Sequence, residues 1–270
     1  LIDAGKGAKE PLRFRPKKGQ TEHLELVMDM TMQMSMAGMS APEITSHRTK
    51  MLMKIEVTDI KPNSFRAQFS YTKIEVIALP SSPPGMAEQL KPALQPLTGM
   101  KGWMEVGFDG RLRKGEISVP PGLDNTASQT LESLKKRLSQ LTVPFPQKSV
   151  GKGAQWKVTS TLEMSGLPIE NQIHYTLLSR KGNKLQMKVK LQQRATSKTL
   201  NLPQLPPGTT AELNQFDSAG SGNVMHDLSR LAPSQSTMKS SSNIDTNITA
   251  KGKSQNLKMK MGLNLTIQGL

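Results

Sequence analysis

From Leu24 to Met36 every second residue is apolar (Leu24, Leu26, Met28, Met30, Met32, Met34, Met36), with Glu25, Val27, Asp29, Thr31, Gln33 and Ser35 between them. Side chains on a strand point alternately to its two faces, so the pattern predicts one extended strand with an apolar face and a mostly polar one. At about 3.3 Å per residue this strand is roughly 40 Å long, well beyond the usual ~5–6 residues. Most of its apolar face is methionine, an unbranched side chain that adapts to irregular cores and to varied apolar partners. The segment reads as the wall of a hydrophobic cavity.

The same alternation test predicts about eleven strands. The clearest after the first carry Met51, Met53, Ile55 and Val57; Phe65, Ala67, Phe69 and Tyr71; Leu185, Met187, Val189 and Leu191; and Leu257 through Ile267. Others cover roughly 100–109, 111–119, 154–166, 169–180, 221–230 and 236–250. Turn-forming residues at Lys61–Ser64, Asp109-Gly110 and Lys181–Asn183 separate several of them, so neighbours are expected to pair as antiparallel hairpins.

Pro-Pro-Gly occurs at 83–85, 120–122 and 206–208, each time before a helix-compatible stretch. The first expected helix, near 86–97, carries Pro92 and Pro96 and must be short or kinked. The second, near 124–141, places Leu131, Leu134, Leu138 and Leu141 on one face, with Thr126 and Gln129 at capping-box spacing. The third is Thr209–Phe216. Similar Pro-Pro-Gly entries at 83–90 and 206–213, with echoes at 106–112 and 224–231, suggest two duplicated halves, 19–143 and 144–270, in one continuous sheet. Residues 19–270 then form a single β-rich domain. Leu1–Lys18, rich in Gly, Lys and Pro, reads as a flexible basic tether left by removal of a targeting segment, as in a lipoprotein anchored at the outer membrane.

Composition narrows the function. Cysteine is absent, which excludes disulfides, thiolate metal sites and thiol nucleophiles. The net charge of +15 raises the question of nucleic acid. Its distribution argues otherwise: Lys258 and Lys260 alternate with Leu257, Met259 and Met261, and 4% aromatic residues are too few for base-stacking platforms. A solvated face, or attraction to anionic headgroups, fits better. Mean hydropathy is −0.45, and no apolar run approaches the ~18–20 residues of a spanning helix. A transmembrane β-barrel would need aromatic girdles, which 2 Trp, 2 Tyr and 6 Phe do not supply.

No catalytic constellation appears. His23, His47, His174 and His226 have no partners at triad or metal-site spacing, and His226 reads as a surface residue. Gly252-Lys253-Ser254 lacks the leading glycine of a phosphate-binding loop, and Ser218–Gly222 lacks the order of a nucleophile elbow. The expectation is a protein that is not an enzyme and uses no cofactor. Soft thioethers select Cu(I), so Met28 through Met39 could serve a metal. The run continues in phase from Leu24 and Leu26, which cannot ligate, and this favours an apolar lining.

Long alternating strands, short helices in the connections and one greasy sheet face together resemble the LolA/LolB and LppX/LprG group of bacterial lipoprotein and lipid carriers. The resemblance is one of architecture across nearly the whole chain and brings no shared motif. It implies a mainly β fold: a single strongly curved antiparallel sheet, an incomplete barrel of about eleven strands, with two or three short covering helices. It implies a periplasmic or outer-membrane-anchored protein. Gly151–Trp156 and Met100–Arg113 also look like segments of secreted bacterial lipoprotein families. The expected ligand is a lipid or acyl chain, with the membrane surface or envelope proteins as partners. Its cavity would be lined by Met28, Met30, Met32, Met34, Met53, Ile55, Phe69, Leu131, Leu134 and Leu138, with the headgroup at a mouth near exposed lysines. An envelope scaffold with a filled core remains the alternative.

Overall fold

A computed structural model describes residues 1–36, 39–118, 142–164, 167–198, 209–250 and 253–270. Fourteen strands run along these residues. They are β1 (Lys6–Glu10), β2 (Thr21–Met36), β3 (Met39–Ser40), β4 (Ile44–Ile60), β5 (Ser64–Ile77), β6 (Lys101–Gly107) and β7 (Leu112–Ser118). After these come β8 (Val150–Lys152), β9 (Gln155–Met164), β10 (Leu167–Lys181), β11 (Lys184–Ala195), β12 (Thr209–Asp227), β13 (Gln235–Ala250) and β14 (Lys253–Gly269). One sheet takes twelve of them in the order β7-β6-β5-β4-β2-β14-β13-β12-β11-β10-β9, with β3 added beside β2. Every pairing in it is antiparallel. The last strand docks against the first long one, from Leu257↔Met36 to Gly269↔Leu24, so β2 and β14 form the middle and the rest form two wings.

Burial is uneven along the strands. At the end where β2, β5, β11 and β13 begin, both wings feed one core cluster: Met53, Ile55, Phe65 and Val106 from one side, Trp156, Leu177, Met187 and Val224 from the other. The sheet therefore needs cover there, and the segments before β2 and before β9 supply it. Leu12, Phe14 and Phe145 are fully buried. The Phe14 N–H donates to the Phe108 carbonyl at 2.8 Å, and the Arg15 N–H to that of Leu228 at 2.6 Å. One short segment thus ties the two wings together. Beside it β1 pairs with β8 in a two-stranded sheet. Leu1–Lys18, expected as a flexible tether, is instead fastened to the sheet, because its Leu12 and Phe14 are the side chains that seal the end of the core.

Toward the other end β2 passes from the buried Leu24 to Met34 and Met36, which are 41% and 52% exposed. The sheet is neither closed nor strongly curled, which corrects the expected incomplete barrel. Two packed segments cover one end, and strand curvature is not what encloses the apolar face there.

Among the described residues there is one α-helix, α1 (Met86–Leu94), continued by a 3-10 turn at Gln95–Leu97. It lies where the first Pro-Pro-Gly predicts it, with Gly85 at φ 76° before the first turn. The expected helix near 124–141 lies outside the described residues. Thr209–Phe216, expected as a helix, is the first part of β12. A bulge between Leu213 and Gln215 puts Leu213 and Phe216 on one face, and that spacing of three imitates a helical turn.

Candidate functional site

The even positions of β2 share the core-bearing face of the sheet, and β14 continues that face in register. Leu26 stands opposite Ile267, Met28 opposite Leu265, Met30 opposite Leu263, Met32 opposite Met261, Met34 opposite Met259 and Met36 opposite Leu257. Directly opposed residues on one face have Cβ atoms about 4.5–5.5 Å apart, so these pairs form a continuous apolar ladder. Met28, Met30 and Met32 are half-buried.

The expected lining residues divide along the strand. Met53, Ile55 and Phe69 lie in the packed core, each at most 4% exposed. Met28, Met30, Met32 and Met34 lie beyond it on the same face, while Leu131, Leu134 and Leu138 fall outside the described residues. On β4 and β5 this face continues through Met51 and Ile74, then Thr49 and Val76, toward α1. There an open cleft of about 530 Å³ lies between α1 and β5, lined by Ile74, Val76, Leu94 and Gln95 with Lys73 and Lys91 at its rim.

Polar groups on this face escaped the sequence reading. Ser160, Asn171, Gln193, Ser218 and Ser242 follow one another across β9 to β13 in one transverse row that ends against Met261 and Met32. Asn171 Nδ2 donates to Ser160 Oγ at 3.2 Å, Gln193 Nε2 to Asn171 Oδ1 at 3.1 Å, and Ser242 Oγ to Ser218 Oγ at 2.8 Å. Beyond this belt a second apolar cluster collects Leu167, Ile169, Leu213 and Phe216. Each belt residue sits in phase with apolar neighbours on its own strand, which was the available signal. His47, opposite Met30 on this face, is buried, and burial lowers its pKa.

The opposite face is ionic. Arg48 makes two bonds of 2.7 Å to Asp29 and holds that carboxyl below its ordinary range, and Lys50 pairs with Glu25 at 2.6 Å. His226, expected at the surface, is 1% exposed and packs edge-on against Phe14, with centroids 5.2 Å apart. Burial pushes its pKa down to about 4. The reason is that β12 turns its even positions inward at this end, where the Phe14 segment covers them. Among the described residues no group of three His, Asp or Glu side chains could hold a metal ion.

Residues 126–225 match a family of unknown function, DUF6263, over less than half of the chain. No curated protein matches. Among solved structures, the outer membrane protease OmpT from Escherichia coli is similar at 8% identity and TM-score 0.23, over 97% of this chain and 99% of that one. OpdO of Pseudomonas aeruginosa is similar at 6% identity and TM-score 0.23, over 93% and 97%. At such scores the overlap carries no information on function.

Proposed function

We propose that the protein is a non-enzymatic binder of a lipid or other long apolar molecule, acting as a carrier or sensor at the bacterial cell envelope. The observation that carries this reading is the in-register ladder of Met and Leu side chains on β2 and β14, which leaves the core, is half-buried at Met28, Met30 and Met32, and ends in the exposed Met34 and Met36. An ordinary core face would be covered along its length. Methionine lets such a face follow a flexible acyl chain. The polar end of the ligand would meet the Ser160–Ser242 belt, whose neutral hydroxyls and amides suit a hydrogen-bonding headgroup better than a charged one. The envelope location rests on the strand-rich architecture alone, and cell fractionation tests it.

Native mass spectrometry of gently purified protein, followed by titration with a fluorescent fatty acid, tests the reading. Co-purifying lipid, and binding that Met32→Trp weakens at unchanged stability, support it. Lipid-free protein that takes up no fatty acid overturns it in favour of an envelope scaffold working by protein contacts.

A further inference from the structure

We infer that the polar face of β9 to β13 is a docking surface for an anionic lipid bilayer. The strand register lines up Lys157, His174, Lys190, Ser221 and Lys239 in one row across five neighbouring strands. Lys188 stands two residues from Lys190 on the same face of β11. With strands about 4.8 Å apart, the row is roughly 19 Å long. All four lysines are exposed, and among the described residues none lies within ion-pairing distance of a carboxylate.

The residues around them on this face are neutral: Thr176 and Asn223 flank Lys188, and Asn264 follows Lys239 on the next strand. The carboxylates on this face lie several residues along the strands from the row: Asp217 accepts from Gln215 and Asn243, and Glu170 also feels the charge of Lys157. Arg194 holds Glu170 at 2.7 Å, and the Ser229 hydroxyl donates to Asp227 at 2.6 Å. This differs from β2 and β4, where cations and carboxylates on the same side of the sheet pair with one another. A stretch of sheet face with four exposed lysines and no carboxylate paired to them carries a local positive field that the acids farther along the strands only partly offset.

The shape and the apolar content select the partner. On β12, Met225 is 48% exposed on this face, opposite Gln186 and thus two residues from Lys188 along the neighbouring strand. Leu178, the extra residue in a β10 bulge, is 36% exposed. A bilayer takes both features, phosphates for the lysines and the interfacial layer for the thioether and isobutyl groups. A nucleic acid would want aromatic rings for stacking or an element that enters a groove, and the described residues on this face of β9–β13 include no Phe, Tyr or Trp. The inference is independent of the ligand reading, since the lysines lie on the opposite face of the sheet.

Sedimentation of the full chain with phosphatidylcholine vesicles, with and without about a third phosphatidylglycerol, tests it. Binding should require the anionic lipid and be released by about 0.5 M salt. K188Q/K190Q/K239Q should lower partitioning on the order of a hundredfold, at roughly fivefold per lysine. The same charge loss at K9Q/K17Q/K114Q should leave it within about twofold. Met225→Ser should weaken binding several-fold without changing its salt dependence. Equal losses from both triple variants, binding to neutral vesicles, or displacement from the vesicles by a DNA duplex acting through the same lysines would each overturn the proposal.

Discussion

His226 titrates far from where a free imidazole would. Packed against Phe14 and Phe145, it has a pKa of about 4 in the folded protein against 6.5 when free. The charged and polar groups around it are Asp227 on its own strand and Arg230 in the following turn. Between these two values the unfolded chain binds a proton that the folded one refuses. Stability is therefore complete above pH 6.5 and is lost as pH falls toward 4, by about 3 kcal/mol. Urea unfolding at a series of pH values should show this slope, and His226→Phe should flatten it. Phe14, which touches that imidazole, Phe65 and Phe145, makes a second residue-scale test. Phe14→Ala should cost about 3–5 kcal/mol in the same measurement, whereas a residue in a free tether would cost nothing.

At the scale of elements, β2 and β14 act as one two-stranded apolar ribbon, and their methionines need only bulk and flexibility. Replacing Met30, Met32 and Met34 together by leucine should leave the circular dichroism unchanged and lower stability by under about 1.5 kcal/mol per site. A Cu(I) titration with tight, stoichiometric binding that the triple change abolishes would instead assign the facing thioethers of Met32 with Met261 and Met34 with Met259 to a metal. β12 and β13 impose a different constraint. At Gly222 a Cβ would run into the Thr237 carbonyl oxygen, so Gly222→Val should destabilise the β12–β13 pair by about 1–3 kcal/mol or more.

Across the whole molecule, packing is concentrated at one end of a long open sheet. Amide exchange should therefore be slowest around Leu24, Met53–Val57 and Leu185–Val189, and markedly faster at Met32–Met36 and Leu257–Met261. Uniform protection along β2 would mean that its far end is packed like its base. The arrangement also lets one sheet present two surfaces, a ladder for an apolar chain on one face and a lysine field on the other.

What the sequence determined by itself was local. The period of two in Leu24–Met36 and in Leu257–Ile267 is a property of neighbouring residues, so it identified the strands, their two faces and an antiparallel β fold without knowledge of partners. It also placed α1 after Pro83-Pro84-Gly85. Which part of an apolar face is covered depends on segments distant in the chain, and alternation is silent about that. The tertiary structure decided that Leu12 and Phe14 close the core, that His226 lies beneath them, and that Met34 and Met36 stay open. It decided too that Thr209–Phe216 is strand, with a one-residue bulge between Leu213 and Gln215, where the preceding Pro-Pro-Gly predicted a helix. Burial and register are set by contacts between residues far apart in sequence, and so only the folded chain fixes them.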